Sequence, residues 1–316
     1  MTPDLSIVIV NWNGGPLLRR CIESVLRHPP AITWEIILVD NASTDDSLEW
    51  VRQSGLSNLR LIENSENLGF GKANNLAFGL SSASLVFLLN NDAEVRAGTI
   101  DRLIATVNSD SRVGACGPRI IGSDGVLQRS VWRNMPRPWE MIVTGLKLHC
   151  LIPKRIKGEL LLGEFWDHAR RRQVDMLSGA AILARRALID EVGGFDERFH
   201  MYFEDNEWCY RAVCAGWVLI FEPEAVVMHH GGQATKQRWN QREQLLAYHE
   251  SKFLFHRTNL SRPRHLANLL TMCALSVSQL PWRKLRGKST SQEDLILRLH
   301  FAELIRLLRG RNSARS

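Results

Sequence analysis

The chain has 316 residues, of which 45% are hydrophobic and 23% are charged. This composition excludes a disordered protein and suits one large α/β domain or two smaller ones. The formal net charge is +7, and most of the excess lies after Arg257, where only Glu293, Asp294 and Glu303 oppose many arginines and lysines. An anionic membrane surface or lipid-linked ligand would suit that segment, whereas no helix-turn-helix, zinc-finger or RNA-binding signature indicates nucleic acid.

The cysteines and the N-terminus indicate the compartment. The six cysteines form no C-x-x-C pair, which favours reduced, buried thiols over a disulfide framework or a zinc site. The first residues, "MTPDLSIVIV", lack a basic region ahead of their short apolar run, so they predict a strand and not a signal peptide. We therefore expect a cytoplasmic protein.

The N-terminal third alternates strand and helix patterns. Apolar, β-branched runs predict strands, and apolar residues three or four positions apart predict helices. The strands are expected at 5–11, 34–40, 58–63 and 85–90, and the helices at 15–28, 43–53 and 69–82. Such alternation implies a parallel sheet covered by helices on both faces.

The pattern weakens between 97 and 175. The stretch 133–140, rich in Pro, Arg and Trp, predicts a loop or a substrate-facing insertion. Regular elements are expected again beyond it, as strands at 176–184, 217–222 and 225–230 and as helices at 185–192 and from Glu204 to about Gly216.

Polar residues follow three of the early strands. The sequence "NWNGG" follows the first strand, Asp40 follows the second, and Asn91, Asp92 and Glu94 follow the fourth. Ligands of parallel sheets bind beyond the carboxyl ends of the strands. Carboxylates one residue apart could both bind Mg²⁺ or Mn²⁺, or they could only cap a turn; the three strand ends together favour a site.

Two further clusters could take part in chemistry. Glu204 and Asp205 stand at a predicted helix start, where they could cap the helix or supply a general base. His229 and His230 end the last predicted strand and could provide a metal ligand or form a polar turn.

Several common motifs are missing. There is no P-loop and no G-x-S-x-G elbow, which argues against a P-loop kinase and an α/β-hydrolase. The sequence "GFGKAN" lacks the third glycine of a dinucleotide fingerprint and follows the third strand instead of the first. An NAD(P)-dependent oxidoreductase is therefore disfavoured.

Taken together, the motifs resemble the inverting family-2 glycosyltransferases of the GT-A fold. The resemblance is strongest to bacterial rhamnosyltransferase-type members of cell-wall and O-antigen polysaccharide assembly. It covers residues 5–95 and 177–232 in order, through "SIVIVNWNGGPLLRRCIESVL", "EIILVDNASTDDS", "ENLGFGKANNLAFG", "FLLNNDAEV", "SGAAILARRALIDEVGGFDERFHMYFEDNEWCYRAVCAGW" and "VVMHHGG".

The resemblance implies a domain organisation. We expect an α/β catalytic domain at 1–256, with a Rossmann-like nucleotide-binding half at 1–95 and an acceptor and catalytic half at 97–232. A basic helical tail would follow at 257–316. Within it, residues 265–282 contain no Asp, Glu, Lys or Arg, but they are slightly short for a membrane span. An interfacial helix on the inner face of the membrane and an ordinary helix packed on the catalytic domain are both open.

The resemblance also implies residue roles. Asp205 matches the catalytic base, with Glu204 beside it; Glu207 and Trp208 depart from the usual "EDxDL" pattern. Asp92 and Glu94 match the D-x-D metal motif, with glutamate in place of the commoner second aspartate, and His229 matches a metal or diphosphate contact, with His230 as the fallback. The residues expected to bind the nucleotide are Val10, Asn11, Trp12, Asp40, Asn67, Gly69, Asn91 and Asp92, with Asp40 on the pyrimidine base.

The implied activity is a metal-assisted single displacement that inverts the anomeric carbon. The expected donor is dTDP-L-rhamnose, with UDP-sugars next, and the expected acceptor is a saccharide, with a lipid-linked one as the hypothesis that would use the basic tail. A non-catalytic nucleotide-sugar-binding subunit of a polysaccharide assembly complex is the alternative, which the presence of Asp205 disfavours.

Overall fold

The computed structural model describes residues 2–128, 137–231, 240–285 and 291–310. The chain divides into two compact units. The sheet unit comprises Met1–Asn134 and Asp167–Trp239, and the helical unit comprises Met135–Trp166 and Asn240–Ser316.

The sheet unit contains nine described strands. They are β1 Leu5–Asn11, β2 Trp34–Asp40, β3 Leu59–Glu63, β4 Leu85–Leu89, β5 Ala93–Val95, β6 Val113–Ile121, β7 Arg172–Val174, β8 Ala181–Arg185 and β9 Val218–His229. Their order is β3-β2-β1-β4-β8-β6-β9-β5, and β7 pairs with β9. The first four strands are parallel, as the sequence predicts, but β8 runs antiparallel to both β4 and β6, so the whole sheet is mixed.

The described helices belong to both units. They are α1 Gly15–Arg27, α2 Glu49–Gln53, α3 Phe70–Leu80, α4 Thr99–Asn108, α5 Pro138–Gly145, α6 Lys154–Leu161, α7 Arg186–Val192, α8 Glu204–Cys214, α9 Gln241–Asn259, α10 Arg262–Leu285 and α11 Ser291–Leu308. Short 3₁₀ turns at Leu148–Leu151 and Gly163–Phe165 join the helical unit's first elements. No described helix is long and apolar enough to cross a bilayer.

The strands of the sheet unit contain continuous apolar runs because they form its core. Ile7, Ile36 and Phe87 are fully buried in neighbouring strands, and Leu18 and Ile22 of α1 pack in the same cluster. Because helices cover the strands, polar groups concentrate where each strand ends.

The structure differs from the sequence expectation in the polar segment after β2. The helix predicted at 43–53 begins only at Glu49. The amide of Ser43 donates to Asp40, and the amide and hydroxyl of Ser47 donate to Asp45. Such local side-chain hydrogen bonds compete with a helix, so the first half of the predicted helix is a set of turns.

The weakly patterned region contains elements that sequence reasoning missed. Helix α4 and strand β6 both lie between 97 and 175, and the two strands predicted at 217–222 and 225–230 are one strand, β9. Its pairing with β6 passes from Glu222 directly to Val226, so the residues between them form a bulge. Residues 133–136 of the predicted loop lie outside the described residues, and the chain from Pro138 onward is helical.

The helical unit starts earlier than the predicted tail at 257–316. Asn240 caps α9 by accepting from the amides of Arg242 and Glu243, and the helix continues through Arg257 without a break. The unit also includes 135–166, because Met141 packs against a small core of Phe253, Leu269, Met272 and Leu307. The apolar stretch 265–282 lies within α10.

Candidate active site

A cavity of about 360 Å³ lies at the carboxyl ends of the central strands in the sheet unit. Residues that follow β1 and β4 form one side, and residues ahead of β8 and at the start of α8 form the other. The lining residues are Val10, Trp12, Asn41, Asn67, Gly69, Phe70, Asn90, Asn91, Asp92, Ser178, Gly179, Ala180, His200, Met201, Tyr202, Glu204, Asp205 and His229.

Most of the residues predicted from the sequence meet in this cavity. Glu204, Asp205 and His229 line it, as do six of the predicted nucleotide contacts, namely Val10, Trp12, Asn67, Gly69, Asn91 and Asp92. Asn11, Asp40 and Glu94 are not among the lining residues.

Asn11 and Asp40 form a buried brace between strand ends. The Asn11 amide donates to Asp40 Oδ1 at 2.8 Å and accepts from Asn91 at 2.8 Å. The hydroxyl and amide of Ser43 donate to Asp40 at 2.6 and 2.8 Å. Both oxygens of the Asp40 carboxylate therefore have partners within the protein, and its role at the pyrimidine base stays a prediction.

Asp92 and His229 come together because β5 pairs antiparallel with the end of β9. Ala93 lies opposite His229 in that ladder, and His229 Nε2 lies 3.1 Å from Asp92 Oδ1. Gln128 holds the other side of the imidazole, since its Oε1 lies 2.7 Å from His229 Nδ1 and its Nε2 donates to the His229 carbonyl at 2.6 Å.

This arrangement fixes the tautomer of His229. A carbonyl oxygen can only accept, so the Gln128 amide nitrogen must face it, and the amide oxygen must then accept from a proton on Nδ1. In the neutral imidazole the lone pair of Nε2 consequently faces the Asp92 carboxylate. Two electron-rich atoms at 3.1 Å attract a cation between or beside them, and an imidazole and a carboxylate suit Mn²⁺ and Mg²⁺ chemistry.

Glu94 has a different partner. Its Oε1 lies 2.8 Å from His230 Nε2, and the described residues include no group of three or more His, Cys, Asp and Glu side chains arranged to hold a metal ion. The structure thus brings two of the three predicted ligands together and leaves Glu94 with the fallback histidine. A cation at Asp92 and His229 would take its other ligands from diphosphate oxygens and water, as Mg²⁺ commonly does.

A strained turn precedes the acidic pair, Glu204 and Asp205. Tyr202 and Phe203 adopt φ of 65° and 69° directly before α8, a left-handed conformation that is costly for bulky residues and often marks functional sites. Glu204 and Asp205 then occupy the first turn of α8, where the positive end of the helix dipole favours carboxylates.

The two carboxyl groups have different environments. Asp205 accepts from the backbone amides of Gly179 at 2.9 Å and Asn206 at 2.7 Å. Glu204 Oε2 has no hydrogen-bond partner within the described ranges. Burial, and then repulsion from Asp205, raise the pKa of Glu204 to about 8. Burial also raises the pKa of Asp205, against the two amides that lower it. Of the two, Glu204 therefore holds a proton more readily, and the role of Asp205 as the base stays a prediction.

The departures from the usual family pattern have a structural role. Glu207 is buried and accepts both bonds from Arg211 Nε at 2.9 Å, and Arg211 also donates to the Gly194 carbonyl at 2.6 Å. The indole of Trp208 is buried and donates to the Gly193 carbonyl at 3.1 Å. These contacts join α8 to the Gly-Gly turn that precedes it.

Sequence reasoning missed Gln128 and several lining residues. Gln128 is a single polar residue in a weakly patterned region and gives no signal without the structure. One of the missed residues, His200, lies beside Gly69, which the sequence predicts as a nucleotide contact. A Cβ on Gly69 would lie 3.5 Å from His200 Nδ1, and Gly69 has a φ of +82°. Only glycine fits this conformation readily.

Solved structures establish the class of the fold. The chain matches GalNAc-T7 with UDP, GalNAc and Mn²⁺ at a TM-score of 0.55 and 18% identity, covering 81% of this chain and 51% of that one. It matches the mannosyltransferase PcManGT from Pyrobaculum calidifontis, in complex with GDP-Man and Mn²⁺, at a TM-score of 0.55 and 15% identity, covering 99% and 89%. The fold is that of the GT-A glycosyltransferases.

The sequence comparisons establish the family. The family model "Glycosyl transferase family 2" matches residues 6–193. N-acetylglucosaminyl-diphospho-decaprenol L-rhamnosyltransferase of Mycobacterium tuberculosis is 31% identical over 279 residues, which cover 81% of this chain and 84% of that protein. The chain belongs to glycosyl transferase family 2 and is a glycosyltransferase, so the resemblance stated from the sequence is confirmed.

Proposed function

We propose that the protein transfers L-rhamnose from dTDP-L-rhamnose to a lipid-linked saccharide during bacterial cell-surface polysaccharide synthesis. The observation that carries the proposal is that Asp205 and the Asp92–His229 pair line one cavity, so a base and a diphosphate site face the same space. The choice of sugar and acceptor rests on the mycobacterial relative, whose name specifies an L-rhamnosyltransferase acting on a diphospho-decaprenol.

The proposed reaction is a single in-line displacement. Asp205 accepts the proton of an acceptor hydroxyl while that oxygen attacks the anomeric carbon. The bond from that carbon to the diphosphate breaks, its electrons pass to the departing nucleoside diphosphate, and the configuration inverts. The amides of Gly179 and Asn206 hold the Asp205 carboxylate in place and would favour the ionised form that a base requires.

In this proposal, Asp92 and His229 act on the diphosphate of the donor. Asp92 and His229 would hold a divalent cation, Mg²⁺ or Mn²⁺, which when bound supplies positive charge for the leaving diphosphate. Gln128 orients His229 for this role through Nδ1, in the way that outer partners commonly orient metal-ligating histidines. Asn67, Gly69 and Trp12 would line the nucleoside.

We also propose a cytoplasmic protein that is peripheral on the inner face of the membrane. A lipid-linked acceptor would be met at that surface, and the basic residues after Arg257 would be attracted to anionic lipids.

The test is sugar transfer by the purified protein across dTDP-, UDP- and GDP-sugars, with a short-chain lipid diphosphate saccharide as acceptor and Mg²⁺ or Mn²⁺ present or chelated. We expect metal-dependent transfer from dTDP-L-rhamnose with inversion, and its loss in Asp92→Ala. Asp190→Asn, an exposed site on α7, serves as the matched control and should transfer normally. A preference for another donor would overturn the sugar assignment, and full transfer under chelation would overturn the metal assignment.

A further inference from the structure

The segment of the helical unit between β6 and β7 exposes an unusual amount of apolar surface. Leu151 is 83% exposed and Ile156 is 56% exposed. We define the insertion surface as Trp139, Ile142, Leu146, Leu148, Leu151 and Ile156, all of them large, apolar and exposed. Several large exposed apolar side chains within one short segment are typical of a surface that meets another apolar phase or partner.

The geometry of α5 shows that this exposure is not a consequence of poor packing. Trp139, Ile142 and Leu146 follow one another at helical spacing and share one face. Another part of the helix is packed within its own unit, since Glu140 is buried and a Cβ on Gly145 would lie 2.7 Å from a Leu275 methyl carbon. The helix therefore packs within its unit on one side and exposes large apolar side chains on another.

The charges around the insertion surface have one dominant sign. Arg137, Lys147, Lys154 and Arg155 are exposed. Of the two acidic residues between 137 and 161, Glu140 is buried and Glu159 is partly buried. Exposed cations beside large apolar side chains, with a tryptophan at the edge, are the composition that anionic bilayer surfaces attract.

We propose that the insertion surface is the part of the protein that docks on a membrane rich in anionic lipid. Leu148 and Leu151 of the 3₁₀ turn enter the boundary between headgroups and acyl chains, and the four cations contact the lipid phosphates. The inference deepens the proposed function, since it rests on a lipid-linked acceptor for its purpose. It also places the contact on 137–156 and not on the apolar stretch 265–282 of α10.

The test is co-sedimentation of the full chain with vesicles, without donor or acceptor. Wild type should bind mixed phosphatidylglycerol–phosphatidylcholine vesicles and leave pure phosphatidylcholine largely unbound. The double variant Leu148→Ser/Leu151→Ser should bind at least about tenfold more weakly, because two leucines no longer enter the lipid. The matched control Leu270→Ser/Val277→Ser, at exposed apolar positions of α10, should bind like wild type.

Each other outcome of this experiment overturns the proposal. Equal binding by the insertion variant would do so, as would equal loss in the α10 control or equal binding to neutral vesicles. If wild type is dimeric without lipid and the insertion variant is monomeric, the occupant is a second copy and the lipid assignment is wrong. Because transfer is measured separately with a short-chain acceptor, failure here leaves the proposed function standing.

A second readout does not depend on the leucine variants. Cys150 is exposed within the 3₁₀ turn, and Cys214 is the other exposed cysteine of the described chain. A polarity-sensitive fluorophore on Cys150, in a Cys214→Ser background, should shift to shorter wavelength when anionic vesicles are added. An unchanged spectrum, with vesicle binding intact, would show that another surface makes the contact.

Discussion

The sheet unit and the helical unit differ in how many large apolar side chains they expose and in how well their buried polar groups are hydrogen-bonded. Among the described residues, the large exposed apolar side chains of the sheet unit are Leu76 and Val126, whereas the helical unit has twelve. In the sheet unit, buried polar groups such as Asn11 and Asp40 satisfy one another, and Glu204 Oε2 in the active site is an exception. In the helical unit, both ring nitrogens of His256 and His300 and both amide atoms of Asn268 are buried without hydrogen-bond partners among the described residues.

This difference shows which unit is built for precise positioning. A buried polar group that is fully hydrogen-bonded holds its neighbours in one arrangement, while an unpartnered one costs free energy and specifies little. The sheet unit therefore suits a reaction site, and the helical unit suits a surface whose contacts form with something outside the chain.

The largest expected effect lies at Asp205, the proposed base. Asp205→Asn keeps the size of the side chain and removes the proposed proton acceptor, so transfer should fall on the order of 10²–10⁴-fold while binding of the proposed donor, dTDP-L-rhamnose, is retained. Calorimetric donor titration beside transfer rates separates the two quantities. Glu204→Gln should lose far less, because the raised pKa of Glu204 favours its neutral form, which glutamine mimics.

The pH profile gives a second view of the same residue. Burial raises the pKa of Asp205, so kcat/KM should decline on the acid side at a higher pH than an ordinary aspartate would give. An acid limb that persists unchanged in Asp205→Asn would assign the base elsewhere.

The next largest effect is acid unfolding of the helical unit. Burial lowers the pKa of His249 and His265 to about 4 and that of His300 to about 3. The charge of Lys252 lowers the pKa of His249 and His300 further, and that of Arg257 lowers the pKa of His265. The unfolded chain binds protons below the ordinary value of 6.5, whereas the folded unit does not. These histidines therefore leave stability unchanged above that pH and reduce it as pH drops toward their lowered pKa values.

Hydrogen exchange along an acid titration checks this expectation. Peptides from 240–285 and 291–310 should lose protection at a higher pH than peptides from β1, β2 and β4. His300→Phe, which removes one buried titrating ring, should move the helical unit's transition to lower pH. Simultaneous loss of protection in both units, unmoved by His300→Phe, would show that these histidines do not control it.

The sequence predicts an element correctly where a short stretch of residues carries its pattern. Strands β1 and β2 have the predicted bounds because each contains a continuous apolar run, Ile7–Val10 and Ile36–Val39, that is almost entirely buried. Strand β6 was missed because "VGACGPRII" contains two glycines and a proline, which read as loop residues. The pairing of Asp92 with His229 required the antiparallel contact of β5 and β9, which no local pattern specifies.

Packing between residues far apart in the chain also could not be predicted from the sequence. The association of 137–166 with the C-terminal helices depends on contacts such as Met141 with the core around Leu269, between residues far apart in the chain. The sequence also gives no indication of the left-handed conformation of Tyr202 and Phe203, because both are bulky residues that ordinarily avoid it.

A smaller effect is expected at the residue that orients His229. Gln128→Leu removes the acceptor at Nδ1, so the affinity for Mn²⁺ in the presence of dTDP should fall about 10–100-fold. Electron paramagnetic resonance of free Mn²⁺ measures that affinity without catalysis. Gln128→Glu retains an acceptor and should bind Mn²⁺ better than the leucine variant, and Gln173→Leu, at an exposed position of β7, is the control. Unchanged affinity in Gln128→Leu would remove the positioning role.

The smallest effect tests the contrast between the two units most directly, because it uses the same substitution in both. Asn74 in α3 is 2% exposed and its amide donates to the Phe70 carbonyl at 2.8 Å. Asn268 in α10 is 1% exposed and has no partner in the part of the chain that the structure describes. Asn74→Leu loses a hydrogen bond and should cost about 1 kcal/mol. Asn268→Leu relieves a buried, unpartnered amide and should raise the free energy of unfolding by about 1–2 kcal/mol.

Urea denaturation of the full chain, with hydrogen exchange reporting each unit separately, measures both variants. The two changes should have opposite signs, each confined to its own unit. If Asn268→Leu destabilises the helical unit as much as Asn74→Leu destabilises the sheet unit, then Asn268 has a partner in solution. The helical unit would in that case satisfy its buried polar groups in the same way as the sheet unit does.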